Sequence, residues 1–166
     1  MIFLQPLFYD KINKICCSDR RGDFMTGSPE AVLKEYFGYD SFRTGQAEVV
    51  NSLLSGHDVL AIMPTGAGKS ICFQVPALMM TYGVVVVSPL ISLMKDQVYS
   101  LKQAGIRGAY FNSSLTYNQY LKALEYAKKG TYKIIYVAPE RLTNKEFLDF
   151  ADKVTISMVA VDEAHS

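Results

Sequence analysis

The strongest constraint on the fold is a junction at residues 59–71, where an apolar run meets a glycine-punctuated turn and then a second apolar run. Val59-Leu60-Ala61-Ile62 carries no charge and reads as a buried strand. Gly66 and Gly68 mark the turn, and a helix is expected from about Lys69. Strand, turn and helix in that order open a parallel βα unit, because parallel strands need a crossover to bring the chain back alongside. The remaining chain should therefore alternate helical and strand patterns, and it does. Residues 29–37 and 44–55 read as helices, with Ser28 placed to cap a helix beginning at Pro29, and Gly56 as a stop before Asp58. Apolar runs recur at 84–87, 108–111, 134–137 and 157–161, separated by helical patterns at 92–104 and 116–128. Near-continuous apolarity fits strands buried on both faces. The expected class is α/β, a mostly parallel sheet with helices on both faces.

A length of 166 residues suits one domain, and 49% hydrophobic with 20% charged residues is ordinary for a folded core. The net charge of +1, with acids and bases interleaved, gives no basic field that would by itself announce nucleic-acid binding. Cys16, Cys17 and Cys72 are odd in number and two are adjacent, which argues against a disulfide framework and a zinc site. A reducing, cytoplasmic compartment is the simplest expectation. No apolar run approaches the roughly 18 residues needed to cross a bilayer, so no membrane partner is expected. Residues 1–24 begin apolar, but Pro6, Asp10 and Lys11 interrupt them, and they lack the charge order of a secretory signal. Met25 opens a more conventional start, so 1–24 read as an extension or misplaced start and 25–166 as the domain.

The chemistry begins at Pro64-Thr65-Gly66-Ala67-Gly68-Lys69-Ser70, in the strand-to-helix setting that a phosphate-binding loop requires. Glycines let backbone N–H groups turn towards phosphate oxygens, and the helix N-terminus adds partial positive charge. Thr65, Gly66, Ala67 and Gly68 would line the cradle, Lys69 would reach the β- and γ-phosphates, and Ser70 would place its hydroxyl on Mg²⁺. Met63 stands where the strict pattern has glycine. Ala67 should keep a negative φ, since a Cβ is strained in the left-handed region. Asp162-Glu163-Ala164-His165 follows the last apolar run, where a carboxylate can hold a phosphate-bound cation. Asp162 is the candidate metal ligand, and Glu163 could orient or deprotonate an attacking water. His165 could sit near the γ-phosphate and couple two lobes, or could be a solvated loop histidine.

These motifs together resemble the RecQ-family DNA helicases of superfamily 2. Phe37-Gly38-Tyr39, Phe42-Arg43 and Gln46 are similar to the segment that recognises the adenine of ATP in that family. The resemblance implies that Gln46 hydrogen-bonds the adenine edge while Tyr39 and Arg43 sandwich the ring, residue types suited to those contacts. Residues 63–70 resemble the family's phosphate loop, with Ala67 replacing a usual glycine. Ser88-Pro89-Leu90-Ile91-Ser92-Leu93-Met94-Lys95-Asp96-Gln97 and Tyr136-Val137-Ala138-Pro139-Glu140-Arg141-Leu142 resemble its motifs along the single-strand track. The resemblance covers about residues 30–166 and implies the first RecA-like lobe of an ATP- and Mg²⁺-dependent 3′-to-5′ DNA helicase of recombination and repair. Single-stranded or tailed duplex DNA is the implied partner in an intact protein. An aromatic-rich loop and a second RecA-like lobe with an arginine finger would follow Ser166, so the chain reads as truncated after the DEAH box and inactive alone. A DEAD-box-type RNA helicase lobe and a P-loop module without motor activity are the alternatives. The 37–46 segment and DEAH rather than DEAD argue against the first; the 88–97 and 136–142 motifs argue against the second.

Overall fold

The computed structural model describes residues 27–64 and 66–163; the proposed extension at 1–24, Thr65 and the 164–166 segment with His165 lie outside the described residues. The expected alternation is largely present. Helix α1 spans Pro29–Phe37, α2 Gln46–Leu54 and α3 Ile71–Met79, followed by strand β1 at Gly83–Val87. Then come α4 at Ile91–Gln103, β2 at Gly108–Phe111, α5 at Tyr117–Lys128 and β3 at Ile134–Val137. A short 3₁₀ turn at Pro139–Arg141, α6 at Lys145–Ala151 and β4 at Ile156–Val161 complete the described chain.

Local chemistry sets the helix ends. Ser28 Oγ accepts from the Ala31 N–H at 3.2 Å, with Pro29 in the first turn, and Gly38 closes α1 at φ 72°. Thr116 and Gln119 form a reciprocal capping box at the start of α5.

The sheet runs β2-β3-β1-β4, and each neighbouring pair is parallel. Its two faces bury different helices. Val84, Val86, Ile134, Tyr136, Met158 and Ala160 pack with α1–α4, whereas Val85, Val87, Phe111, Ile135 and Val137 pack with α5 and α6. A register shift at Gly83/Val84 moves Ile156 onto the second face. Every residue of α3 is buried, which suits a helix without a polar stripe, wedged between α1, α2 and the sheet. The arrangement is the RecA-like α/β lobe expected from the motifs.

One expected strand is absent. Val59-Leu60-Ala61-Ile62 makes no ladder with the sheet, and Leu60 and Ile62 are 57% and 80% exposed. An apolar run becomes a strand only when a neighbouring strand accepts its hydrogen bonds; β1 is filled on both sides, and the segment pairs with neither edge strand, β2 nor β4. Helix α6 was not expected; its spacing of Phe147 and Phe150 buries both rings against Phe111.

Candidate nucleotide site

Parallel strands place their carboxyl ends at one rim of the sheet, which is where ligands of open α/β folds sit. Here that rim collects Ser88 after β1, Ala138-Pro139 after β3 and Asp162-Glu163 after β4. The Asp162 N–H donates to the Val87 carbonyl at 2.8 Å and the Ser88 N–H to the Val137 carbonyl at 3.1 Å, so the three strand ends are tied together.

The loop before α3 turns on two glycines, Gly66 at φ 81° and Gly68 at φ 77°. Ala67 between them stays out of the left-handed region, as expected for a residue with a Cβ. Gly68 is doubly required, because a Cβ there would stand 2.6 Å from Gln46 Nε2. That approach has a purpose. Gln46 Nε2 donates to the carbonyls of Ala67 and Gly68, each at 3.0 Å, while its Oε1 accepts from the Arg43 N–H at 2.9 Å. Arg43 Nη1 adds a bond to the Gly66 carbonyl at 2.9 Å. A trans peptide holds its carbonyl and following N–H antiparallel, so pinning these carbonyls turns the Gly68 and Lys69 N–H groups the opposite way. Gln46 and Arg43 thus organise the loop. Tyr39 is exposed nearby in the chain and stacks on no described ring or guanidinium.

Lys69 brings the two motifs together. Its Nζ lies 2.9 Å from Glu163 Oε1, and both side chains are mostly shielded from solvent. An ion pair across such sequence distance joins the loop to the DEAH glutamate. Glu163 is the one non-glycine residue at positive φ among those described, at 54°. Left-handed backbone at a residue with a Cβ is stored strain of about 1–3 kcal/mol and clusters at functional sites.

Asp162 accepts from the Glu163 N–H at 3.0 Å and is 9% exposed. Burial, with Glu163 beside it, pushes its carboxyl above the usual range, against a smaller opposing pull from Lys69. A carboxylate whose charged form is disfavoured by burial fits a site completed by a cation. Ser70 and Asp162 offer hard oxygens for Mg²⁺, which typically binds through one or two protein groups, waters and substrate phosphates. Among the described residues no group of three or more His, Cys, Asp and Glu forms an all-protein cage. The pair fits a cation that arrives with a nucleotide.

A stability prediction follows. A carboxyl with a raised folded-state value contributes stability at low pH that is lost as pH rises through that value. Asp162→Asn keeps the oxygen that meets the Glu163 N–H and removes the buried charge. At neutral pH the nucleotide-free variant should be more stable by about 1 kcal/mol, a few degrees in Tm. At pH 4 the gain should shrink. Thermal unfolding at both pH values checks this, and a loss of stability at neutral pH contradicts the site's electrostatics.

Arg141, in the second strand-side motif, donates to the Asn112 carbonyl at 3.1 Å and stacks 4.8 Å from the Tyr120 ring centre. Its role in the described chain is structural. Ser88 Oγ is buried without a hydrogen-bond partner, while Pro89 and Leu90 beyond it are exposed.

Comparisons with known proteins show the family. The family model of the DEAD/DEAH box helicases matches residues 43–166. The chain is 47% identical over 137 residues to the ATP-dependent DNA helicase RecQ of Bacillus subtilis, covering 82% of this chain and 23% of that protein. It is 45% identical over 135 residues to the RecQ of Haemophilus influenzae, covering 81% and 22%. It therefore spans under a quarter of the length of these relatives. A crystal structure of the DUF1998 helicase MrfA bound to DNA and AMPPNP superposes with TM-score 0.68 at 18% identity, over 87% of this chain and 22% of that one. No described helix is long and apolar enough to cross a membrane. With the phosphate loop and Asp162-Glu163 joined at one sheet rim and the family model matching from Arg43 onward, the chain belongs to the DEAD/DEAH box helicase family.

Proposed function

We propose that this chain is the ATP-binding lobe of a RecQ-like, ATP-dependent 3′-to-5′ DNA helicase acting in recombination and repair. The observation that carries the reading is the 2.9 Å contact of Lys69 with Glu163. It supports a reading in which Lys69 is the phosphate-binding cation and Glu163 the water-orienting carboxylate, with Ser70 and Asp162 their neighbours in the chain. Mg²⁺ would supply charge neutralisation between the phosphates. Ser70 and Asp162 would hold it, and Lys69 would exchange Glu163 for the β- and γ-phosphates. Glu163, once released, could accept a proton from the attacking water. Exposed Pro89, Leu90 and Pro139 stand on the same rim, where hydroxyls and backbone N–H groups of the 88–97 and 136–142 segments could meet a sugar–phosphate chain without reading its sequence. A cytoplasmic location fits the free, buried Cys72.

Adenine selection would fall to Gln46 and Tyr39. Gln46 spends its amide on the loop, so it would read a base with its remaining lone pair or by exchanging a loop carbonyl for the ring. ATP should then bind better than GTP, and Gln46→Ala should shrink that preference besides loosening the loop. Titration with fluorescent ATP and GTP analogues, with single-stranded DNA and RNA as competitors, tests the assignment. Equal affinity of the unaltered chain for ATP and GTP leaves Gln46 as a loop anchor only. Preference for RNA over DNA would favour the DEAD-box-type reading.

A further inference from the structure

Ser70, Gln74, Gln97 and Tyr136 meet beside the phosphate loop, drawn from the start and body of α3, from α4 and from β3. Gln74 and Tyr136 are 5% and 1% exposed, so their polar groups must find partners within the protein. They find each other. Gln74 Nε2 donates to Gln97 Oε1 at 3.0 Å and to the Tyr136 hydroxyl at 3.1 Å. The Tyr136 hydroxyl donates in turn to Gln97 Oε1 at 3.3 Å. Burial holds the Tyr136 phenol far above its usual range, so it keeps the proton it donates.

The consequence lies at the other end of the Gln97 amide. A carboxamide oxygen has two lone pairs, and both are taken, by Gln74 and Tyr136. Flipping the Gln97 amide alone would set its NH₂ against the NH₂ of Gln74, so with Gln74 donating Oε1 faces the pair. Nε2 then faces away from the pair, and it donates to Ser70 Oγ at 3.3 Å. A serine hydroxyl has two lone pairs and one proton. With Gln97 on one lone pair, the other is left for a cation.

We propose that Gln97, clamped by Gln74 and Tyr136, is a positioning residue that aims the Ser70 hydroxyl at the Mg²⁺ of a bound nucleotide. The proposal rests on the phosphate-site reading above and adds to it a residue outside both nucleotide motifs. Gln97 lies on α4, the helix entered from Ser88-Pro89-Leu90, so the positioning residue and the strand-side segment share one rigid element. Partners that orient a ligand from behind typically contribute tenfold or more to metal affinity.

The experiment titrates the full chain with a fluorescent ATP analogue, once with Mg²⁺ and once with EDTA. Mn²⁺ then replaces Mg²⁺, so that the spin signal of the ternary complex reports the ligand geometry directly. In the unaltered chain Mg²⁺ tightens binding. Gln97→Leu should reduce that tightening about tenfold, leave the affinity in EDTA unchanged and broaden the Mn²⁺ signal. Tyr136→Phe keeps the ring against Phe73 and the Gln74–Gln97 bond, and should reduce the tightening about threefold. It carries the test if Gln97→Leu does not fold. Equal loss with and without Mg²⁺ would mean Gln97 supports the loop generally, and overturns the proposal. So does no loss in either condition, or an unaltered chain whose affinity ignores Mg²⁺. Lys69→Ala separates the two claims, because it should weaken binding in both conditions. A chain that takes up no nucleotide in either condition overturns the phosphate-site reading, and the inference with it.

Discussion

Replacing Lys69 with alanine weakens Mg-ATP binding by about 1–3 kcal/mol, the range of a hydrogen bond to a charged group, or roughly five- to 150-fold. The backbone cradle survives this change, because Gln46 and Arg43 hold the carbonyls of Gly66, Ala67 and Gly68 without help from the lysine. The residual affinity therefore reports the loop alone. Glu163→Gln is the informative contrast. In the nucleotide-free chain the ammonium is already engaged 2.9 Å from Glu163, and a phosphate must displace that contact. Neutralising Glu163 weakens the competitor, so ATP should bind as well as before or somewhat more tightly, while turnover in a complete enzyme falls. Titration of the three proteins with a fluorescent ATP analogue gives the order Glu163→Gln, unaltered, Lys69→Ala. Equal affinity of Lys69→Ala and the unaltered chain places the phosphates elsewhere.

Much of the fold could be read from local pattern because each local signal has a local cause. Ser28 before Pro29 caps α1, and Thr116 with Gln119 caps α5, by contacts within three residues. The Val84–Val87 and Ile134–Val137 runs became strands because a parallel neighbour was available on each side. Val59-Leu60-Ala61-Ile62 carries the same kind of signal and forms no strand, since pairing is a property of two segments and hydropathy reports only one. Helix α6 escaped notice for the opposite reason: it is short, and its Phe147 and Phe150 make sense only against Phe111 from a distant strand.

The site divides along the same line. Gly66, Gly68 and Lys69 were legible from their spacing within one short loop, and Asp162 from its place at the end of an apolar run. Gln46 was legible as a site residue through its resemblance to an adenine-binding segment, but not its bonds to loop carbonyls 21 and 22 residues away. The contact between Lys69 and Glu163 spans 94 residues. Gln97 was legible only as the end of the 88–97 strand-side motif, not as a partner of Ser70, for an amide on a helix face is ordinarily solvated. Only the closure of α3, α4 and β3 around Ser70 gives it a partner.

The 166-residue chain purified alone should bind ATP yet neither unwind a duplex nor hydrolyse ATP at a helicase-like rate. The expectation rests on where its guanidinium groups are. Phosphoryl transfer typically gains about 10³–10⁵ in rate from an arginine that stabilises charge developing on the γ-phosphate. Arg43 is committed to the Gly66 carbonyl, and Arg141 to the Asn112 carbonyl and the Tyr120 ring. Arg107 precedes β2, at the amino end of the strands and across the sheet from the nucleotide rim. Among the described residues no arginine is left to meet a transition state, and the RecQ resemblance assigns that group to a second lobe. Directional movement on DNA also needs two bodies that close and open around the nucleotide. Binding should persist because the loop, Lys69 and the Ser70–Asp162 oxygens lie within this chain, though one wall of the cleft would be open to water. Phosphate release with and without single-stranded DNA, measured beside unwinding of a tailed duplex, decides the matter. DNA-stimulated turnover faster than about one per second, ordinary for a complete enzyme, would show that Lys69 alone supplies the cationic stabilisation assigned here to an arginine from elsewhere.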